Sequence, residues 1–393
     1  MGNITINTKQ LLLIIIVYPF FKTYYFSTLG IIPELNQILF TLSLIIICIF
    51  YLLELRRLKL NSGMMFVIMY YLLILISTTL KDFSPNSEYF SLITFSLGFS
   101  LLVNYCLQTK TDFLYFSSAI RSLLYIYVVA NLFFMIIYPN GIPSITTYVD
   151  FPQYVFGNEN SVIKLVLPGL CFVFLHDLVK FKKVKKKSWL LLILVWVTLF
   201  TTWSVTSMIG LFVFTFMVLN KFGKRNLFFD YYFILAFSIC ASIIIIFLRY
   251  EINILANVLQ IFGKDLTFSN RDFLWINTIE SIKESPIWGY GVQNTEEIWK
   301  HIGNAFGSHN YYLDTTFRGG LTALIFLISG LIYFGKRITI NNNHVTRTIT
   351  GTSCAYFMMW ITEPFISTEF LMFSILFVLM SRIDLVLEYY YET

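Results

Sequence analysis

Charged residues are scarce in this sequence. Only 13% of its 393 residues are Asp, Glu, Lys or Arg, whereas a typical soluble domain contains roughly 25%. Hydrophobic residues make up 57% of the chain and aromatic residues 19%. A chain of this size that is so poor in charge is predicted to be an integral membrane protein that crosses the bilayer several times. The net charge of +6 is small and one-sided along the chain, which favours membrane orientation over nucleic-acid binding.

Motifs that hold metals or cofactors are also lacking. The five cysteines lie in apolar runs and form no C-x-x-C pair, which argues against a disulfide framework and against a thiolate metal site. The sequence has no H-E-x-x-H, no G-x-x-x-x-G-K-[ST] and no Asp-rich metal motif, and its four histidines are scattered. It therefore predicts neither a metal nor a cofactor.

Long apolar runs dominate what is present. A helix that crosses the membrane needs about 20 mainly apolar residues, and such runs satisfy their backbone hydrogen bonds as helices. The prediction is an all-α integral membrane protein, a single polytopic domain over 1–393 with about 12 transmembrane helices. The predicted spans are 9–29, 36–54, 62–80, 89–107, 119–138, 161–179, 188–203, 205–220, 231–249, 311–334, 350–366 and 368–386.

The basic residues predict the orientation of these spans. Most of the 28 Lys and Arg residues fall in the loops on one side if the N-terminus is cytoplasmic, as the positive-inside rule requires. The densest block is "KFKKVKKK" at 180–187. The placement of this block in a cytoplasmic loop is sufficient to explain its charge, although a role in binding anionic lipid is an alternative. Both termini are predicted to be cytoplasmic.

One predicted outer loop is long and polar. It covers 250–310, between the ninth and tenth predicted spans, and carries charges, tryptophans and glycines. Loops longer than about 15 residues are usually functional or disordered, and "NRDFLWINTIESIKES" within this loop has a helical pattern. The loop is therefore predicted to be folded, partly helical and catalytic. Gly289 and Gly291 in "SPIWGYGVQN", taken singly, indicate a tight turn rather than a ligand site.

Two side chains of this loop are candidates for chemistry. Arg271 follows two residues that can cap a helix, and its guanidinium suits a phosphate clamp. The alternative is that it pairs with Asp272 or with interfacial lipid phosphate. His309, beside Asn310 where the loop re-enters the membrane, is a candidate base; the alternative is an interfacial, hydrogen-bonded histidine.

Charges within or at the rim of the spans are further candidates, because charge inside a membrane is costly and often functional. Asp314 and Arg318 lie one helical turn apart and are able to pair with each other. Lys164 and Glu363 lie near the ends of their predicted spans. Arg249 ends the ninth span, where snorkelling to the interface is the alternative.

The order of these motifs resembles that of a known family. Multiple spans, a large late outer loop and the series R-x-x-x-W, P-x-x-G-x-G, HN-x-x-L and GG over 269–320 are similar to the O-antigen polymerase/O-antigen ligase family of bacterial polysaccharide enzymes. The segment "FGNENSVIKLVLPGL" (156–170) resembles the segment of that family in which a Gly and an Asn precede a transmembrane span. The resemblance covers about 160–325 and is strongest over 269–320.

The resemblance implies a metal-independent, inverting glycosyl transfer on the outer face of the membrane. The implied donor is a glycan carried on undecaprenyl diphosphate, with Arg271 at the diphosphate and His309 as the catalytic partner in the "HN" pair. The family often has Ser-Arg near the turn between the seventh and eighth spans, where this sequence has "TTWSVTSMIG"; Arg249 or Lys164 would have to replace that arginine. The expected substrate-binding residues are Asn160, Lys164, Arg249, Trp275, Asn310, Tyr311, Arg318 and Glu363.

The favoured function is a polymerase of lipid-linked repeat units for O-antigen, capsule or exopolysaccharide, in the bacterial cytoplasmic membrane. One alternative is a ligase that moves finished glycan to another acceptor. Another is a polysaccharide or lipid-linked sugar transporter, against which the long loop and the lack of paired broken helices argue. Expected partners are the lipid-linked oligosaccharide and membrane lipids, with a flippase and a chain-length regulator as candidates and no nucleic acid.

Overall fold

The computed structural model describes residues 8–28, 32–53, 61–81, 87–146, 152–220, 230–247, 271–303 and 307–392. Over these residues the fold is helical throughout, and its only β feature is one isolated bridge between Tyr154 and Gly157. The helices are α1 (Thr8–Val17), α2 (Tyr24–Thr28), α3 (Ile32–Leu53), α4 (Ser62–Leu80), α5 (Ser87–Cys106), α6 (Lys110–Ile137), α7 (Ser161–Phe181), α8 (Lys186–Thr202), α9 (Val205–Leu219), α10 (Tyr231–Phe247), α11 (Arg271–Glu284), α12 (Thr295–Ile302), α13 (Tyr311–Thr339), α14 (His344–Trp360), α15 (Glu369–Phe373) and α16 (Ile383–Tyr391). A π-helical stretch, Ser374–Leu379, follows α15.

Six of these helices are long and apolar enough to cross a membrane, and a bent seventh brings the number to seven. The six are Pro33–Leu53, Ser62–Leu80, Tyr89–Cys106, Lys110–Ile137, Ser161–Phe181 and Tyr311–Thr339. The seventh candidate joins Ile366–Leu379 to Ile383–Tyr391 across a bend of 69°. The prediction of an all-helical membrane protein is thereby confirmed, and the count of about 12 spans stays a prediction.

Two predicted spans are interrupted close to a proline. The first, 9–29, is divided by a 3-10 turn at Tyr18–Phe20, which contains Pro19. The eleventh, 350–366, ends as an α-helix at Trp360, and Glu363 lies in the following turn, directly before Pro364. Proline disfavours the helical conformation of the residue before it, so the end of α14 presents Glu363 from a turn.

Helix α7 forms the centre of the bundle. Its apolar window is 94% buried inside the protein, because α6, α8, α9 and α14 all pack against it. With 21 residues it is about 30 Å long. Its two ends therefore define two opposite ends of the bundle. Asn160 precedes its first turn, and residues 182–187, the part of the basic block beyond the helix, follow its last turn.

The basic end is held together by buried acid and by main-chain carbonyls. Asp177 is fully buried; its Oδ2 accepts hydrogen bonds from the Lys185 amide at 2.8 Å and the Ser188 hydroxyl at 2.7 Å, and its Oδ1 pairs with Arg121 at 3.1 Å. Lys182 donates to the carbonyls that end α16. Part of the basic block is thus bound to the protein itself.

The glycines predicted to form a tight turn mediate a close approach between two segments. Helix α13 is broken at Gly320, whose φ of 64° and ψ of −168° are not helical. The amides of Tyr290 and Gly291 donate to the freed carbonyls of Phe317 and Arg318 at 2.8 and 2.7 Å, and the Leu321 amide donates back to the 286 carbonyl at 2.8 Å. The segment 286–291 therefore docks onto the break in α13.

Candidate functional site

Three charged side chains from three parts of the chain meet at the end of the bundle opposite the basic block. Glu363 is 3% exposed. Its Oε1 lies 3.0 Å from Nη2 of Arg271, at the start of α11, and its Oε2 lies 3.8 Å from Nζ of Lys164, one turn into α7. Arg271 also donates to the carbonyl of Thr362. Burying such charges is costly unless they are paired, and the arrangement meets this condition with one carboxylate between two cations.

A strained turn presents His309 next to this cluster. His309 has a φ of 58°, which is uncommon for a residue with a side chain and often marks a functional site. The residues on both sides are fixed: the Ser308 amide and hydroxyl donate to Asp314 Oδ1 at 2.7 and 2.8 Å. The side chain of Asn310 donates to the carbonyl of Ile361 at 2.9 Å and caps α13 by accepting from the Leu313 amide at 3.0 Å.

The imidazole of His309 is neutral in this environment. The pKa of His309 is lowered to about 4, mainly by burial and also by the charges of Arg271 and Lys164, while the charge of Glu363 opposes this shift. Its Nδ1 is buried and has no hydrogen-bond partner among the described residues. A neutral imidazole is able to accept a proton from a hydroxyl group.

The turn between α8 and α9 closes another side of the site. It is the "TTWSVTSMIG" segment, which lacks the arginine common in the family it resembles. The Ser204 hydroxyl donates to Oδ1 of Asn160 at 2.6 Å, and the hydroxyl of Thr206 lies 3.0 Å from that of Thr362. Trp203 adopts a left-handed conformation here, with φ of 53°. The turn thus contacts both the approach to α7 and the segment that carries Glu363.

Two other predicted site residues belong to a separate, deeper network. Arg318 does not pair with Asp314 but with the fully buried Glu369, at 2.6 Å. The hydroxyl of Tyr311 donates to the same carboxylate at 2.5 Å, and that of Tyr71 at 2.8 Å. Arg318 and Tyr311 therefore hold the bundle together beneath the site.

The remaining predicted residues divide into three groups. Asn310 and Asn160 brace the turns that surround the cluster, as described above. Trp275 is fully buried, on the side of α11 that faces the protein. Arg249 lies outside the described residues.

Sequence reasoning missed Glu369, Ser308 and Thr362. Glu369 had a recognisable signal, since it is an acid next to the apolar run "FLMFSILFVLM" and intramembrane acids are candidates by default. Ser308 and Thr362 contribute through a short turn and a main-chain carbonyl, and neither contact has a sequence pattern.

Comparison with known proteins finds similarity over part of the chain. Residues 190–328 match the O-Antigen ligase family. The match covers about a third of the chain and lies almost entirely within the region where the motifs resemble the O-antigen polymerase/ligase family. Its sequence is also similar to the exopolysaccharide production protein ExoQ of Rhizobium meliloti (strain 1021), with 34% identity over 93 residues. That alignment covers 20% of this chain and 21% of ExoQ, and no solved structure matches.

The matched segment includes the turn between α8 and α9, the Arg271 helix α11 and the His309 turn. Lys164 and Glu363 lie outside the matched residues 190–328. The cluster therefore joins two side chains from outside the matched segment to an arginine and a histidine from within it. Both similarities are to proteins of polysaccharide assembly: an O-antigen ligase family and an exopolysaccharide production protein.

Proposed function

We propose that this protein is a polymerase that joins oligosaccharide repeat units carried on undecaprenyl diphosphate. The observation that carries the proposal is the neutral His309 beside Arg271 and Lys164, at the end of the bundle opposite the basic block. Cations suit the diphosphate of the donor, and a neutral imidazole suits the hydroxyl of the acceptor. The similarity to an exopolysaccharide production protein favours a polymer as the product.

The proposed reaction is an inverting glycosyl transfer. An acceptor hydroxyl attacks the anomeric carbon of the donor, the new glycosidic bond forms, and the bond between that carbon and the diphosphate oxygen breaks. His309 takes the proton of the hydroxyl. Arg271 and Lys164 stabilise the negative charge that develops on the departing lipid diphosphate, in a largely water-excluded site where fixed charges act strongly. These steps use side chains alone and involve no metal.

The orientation of the protein is part of the proposal. With the basic block 182–187 on the cytoplasmic side of a bacterial inner membrane, the cluster faces outward, the 250–310 segment is external, and about 12 spans leave both termini inside. Cysteine labelling from the outside is expected to reach Lys283→Cys and to miss Lys186→Cys, both of which replace exposed side chains. The opposite accessibility would contradict the outward-facing site.

The test of the chemistry uses purified protein and lipid-linked repeat units. His309→Ala is expected to lower polymer formation by about 10²-fold or more while donor binding persists. Arg271→Lys is expected to lose most activity as well, because an ammonium ion does not reproduce the paired donors of guanidinium. Exposed Lys283→Gln, on the same helix α11, serves as the matched control. If His309→Ala retains more than about a tenth of the wild-type rate, His309 is not the base.

A ligase is the second candidate, and the matched family description favours it. The same assay separates the two activities. A polymerase produces a ladder of product lengths from repeat units, whereas a ligase moves one finished glycan to a different acceptor without changing its length. A strain that lacks this chain is expected to accumulate single repeat units on lipid if the protein is a polymerase.

A further inference from the structure

The cations proposed to bind the donor are already occupied. Arg271 and Lys164 both contact the carboxylate of Glu363. A diphosphate is also an anion and requires the same guanidinium and ammonium groups. The donor and Glu363 therefore compete for one pair of cations, and donor binding has to move Glu363 from its position between them.

The nearby histidine lacks a partner that a carboxylate is able to supply. Nδ1 of His309 is buried and makes no hydrogen bond to any described residue, although buried polar atoms are normally paired. Histidines that act as bases usually have their second nitrogen held by an acceptor, which fixes the tautomer and orients the ring. None of the residues that the structure describes supplies this acceptor to His309.

Glu363 lies on the chain segment next to the His309 turn. The Asn310 side chain donates to the carbonyl of Ile361 at 2.9 Å, which ties the residue after His309 to a residue two positions before Glu363. Arg271 binds both Glu363 and the neighbouring Thr362 carbonyl. The charge of Glu363 acts on the His309 imidazole even in its present position.

We propose that Glu363 is a positioning residue that exchanges partners when the donor binds. In the structure its carboxylate contacts Arg271 and Lys164. When the diphosphate takes these cations, Glu363 is released and accepts a hydrogen bond from Nδ1–H of His309, which leaves Nε2 to receive the proton of the acceptor hydroxyl. This inference rests on the proposed function, because it requires a diphosphate donor and His309 as the base.

The exchange explains how a histidine with so low a proton affinity serves as a base. Among the described residues, the charged groups that act on His309 are Arg271 from α11, Lys164 from α7 and Glu363 from the turn after α14. A bound diphosphate screens the two cations, and a carboxylate at Nδ1 stabilises the imidazolium form. Both changes raise the pKa of His309 from about 4, so the base is activated only when the donor is present.

The experiment measures the protonation of His309 directly in the full-length protein in lipid nanodiscs. The chain has four histidines, so a ¹⁵N-histidine label gives few NMR signals, and His309→Gln identifies the relevant one. The probe is farnesyl diphosphate, a short isoprenyl diphosphate without sugar. In the wild type, a saturating amount of probe is expected to raise the pKa of His309 by at least about two units.

The decisive variant is Glu363→Gln. It is expected to bind farnesyl diphosphate at least as tightly as the wild type, because the competing anion is gone, yet to show a pKa rise smaller by about one unit or more. Glu363→Asp is expected to retain part of the rise, which guards against a folding defect in the glutamine variant. Glu284→Gln, which removes an acid from the other end of α11, is the matched control and is expected to behave like the wild type.

The outcomes separate this inference from the function on which it rests. An unchanged His309 pKa in probe-saturated wild type, or an equal rise in Glu363→Gln, would overturn the exchange while leaving the diphosphate site intact. If Arg271→Ala binds the probe as tightly as the wild type, or the wild type does not bind it, the proposed diphosphate site is wrong and the inference falls with it.

Discussion

Replacing Gly320 with alanine is expected to detach the segment 286–291 from helix α13. Gly320 combines a φ of 64° with a ψ of −168°, a region that is essentially restricted to glycine. A Cβ at this position would lie 2.0 Å from the carbonyl oxygen of Ile287. Neither the backbone angles nor the space around Gly320 is compatible with a side chain.

The size of the effect follows from the contacts at the break. The strain of a side chain at this position costs about 1–3 kcal/mol. Moving the segments apart also removes the hydrogen bonds from Tyr290 and Gly291 to α13, from Leu321 to the 286 carbonyl, and from the Thr322 hydroxyl to the Ile287 carbonyl. At about 1 kcal/mol each, these four hydrogen bonds contribute roughly 4 kcal/mol, which is the protection that the segment loses when the side chain at position 320 keeps this contact open.

Hydrogen–deuterium exchange measures the opening at the amides involved. In the wild type, the Tyr290 and Gly291 amides are expected to exchange slowly. In Gly320→Ala they are expected to exchange about 10³-fold faster, because each 1.4 kcal/mol corresponds to a factor of ten. Ser329→Ala, an exposed position on the same helix, is the control. Wild-type protection of both amides in Gly320→Ala would refute the reasoning.

Three further predictions concern other contacts. Glu369→Gln leaves the buried charge of Arg318 without its acid, so it is expected to cost about 3–5 kcal/mol; a melting temperature equal to the wild type would contradict this. Asp177→Asn, at the basic end, is expected to lower the melting temperature while farnesyl diphosphate still binds as in the wild type; a loss of binding would show that the two ends are coupled. Because the pKa of His309 is lowered to about 4, the unfolded chain binds a proton first as pH falls from about 6.5. Stability contributed by neutral His309 is therefore expected to be complete above that pH and to be lost towards pH 4, a loss that His309→Gln removes in pH-dependent melting curves.

The sequence was a good guide to helices whose apolar runs are long and unbroken. The predicted spans 62–80, 205–220 and 311–334 coincide with α4, α9 and most of α13, because hydropathy reports the length of an apolar run directly. It was a poorer guide to bends. The predicted span 368–386 is mainly apolar and was read as one straight helix, yet the chain bends by 69° between its π-helical stretch and α16.

The site was predicted in its parts but not in its pairings. Rarity of charge within the spans singled out Lys164 and Glu363, and the long polar loop singled out Arg271. Which of them meet depends on how α7, α11 and α14 pack, and the spacing of residues along one chain does not contain that information. The same limit explains why Asp314, one turn away, was considered as a partner of Arg318, whereas the partner is Glu369 from a different helix.

The central position of α7 has a consequence for the order in which the protein is made. This helix is synthesised well before α14 and the Glu363 turn, yet α14 covers one of its faces and Glu363 supplies the carboxylate next to Lys164. Until α14 and the Glu363 turn are synthesised, one face of α7 is therefore uncovered and the ammonium group of Lys164 lacks the Glu363 carboxylate. A chain released before residue 363 would retain the cation but lack the acid that holds it, so only the completed chain assembles this site.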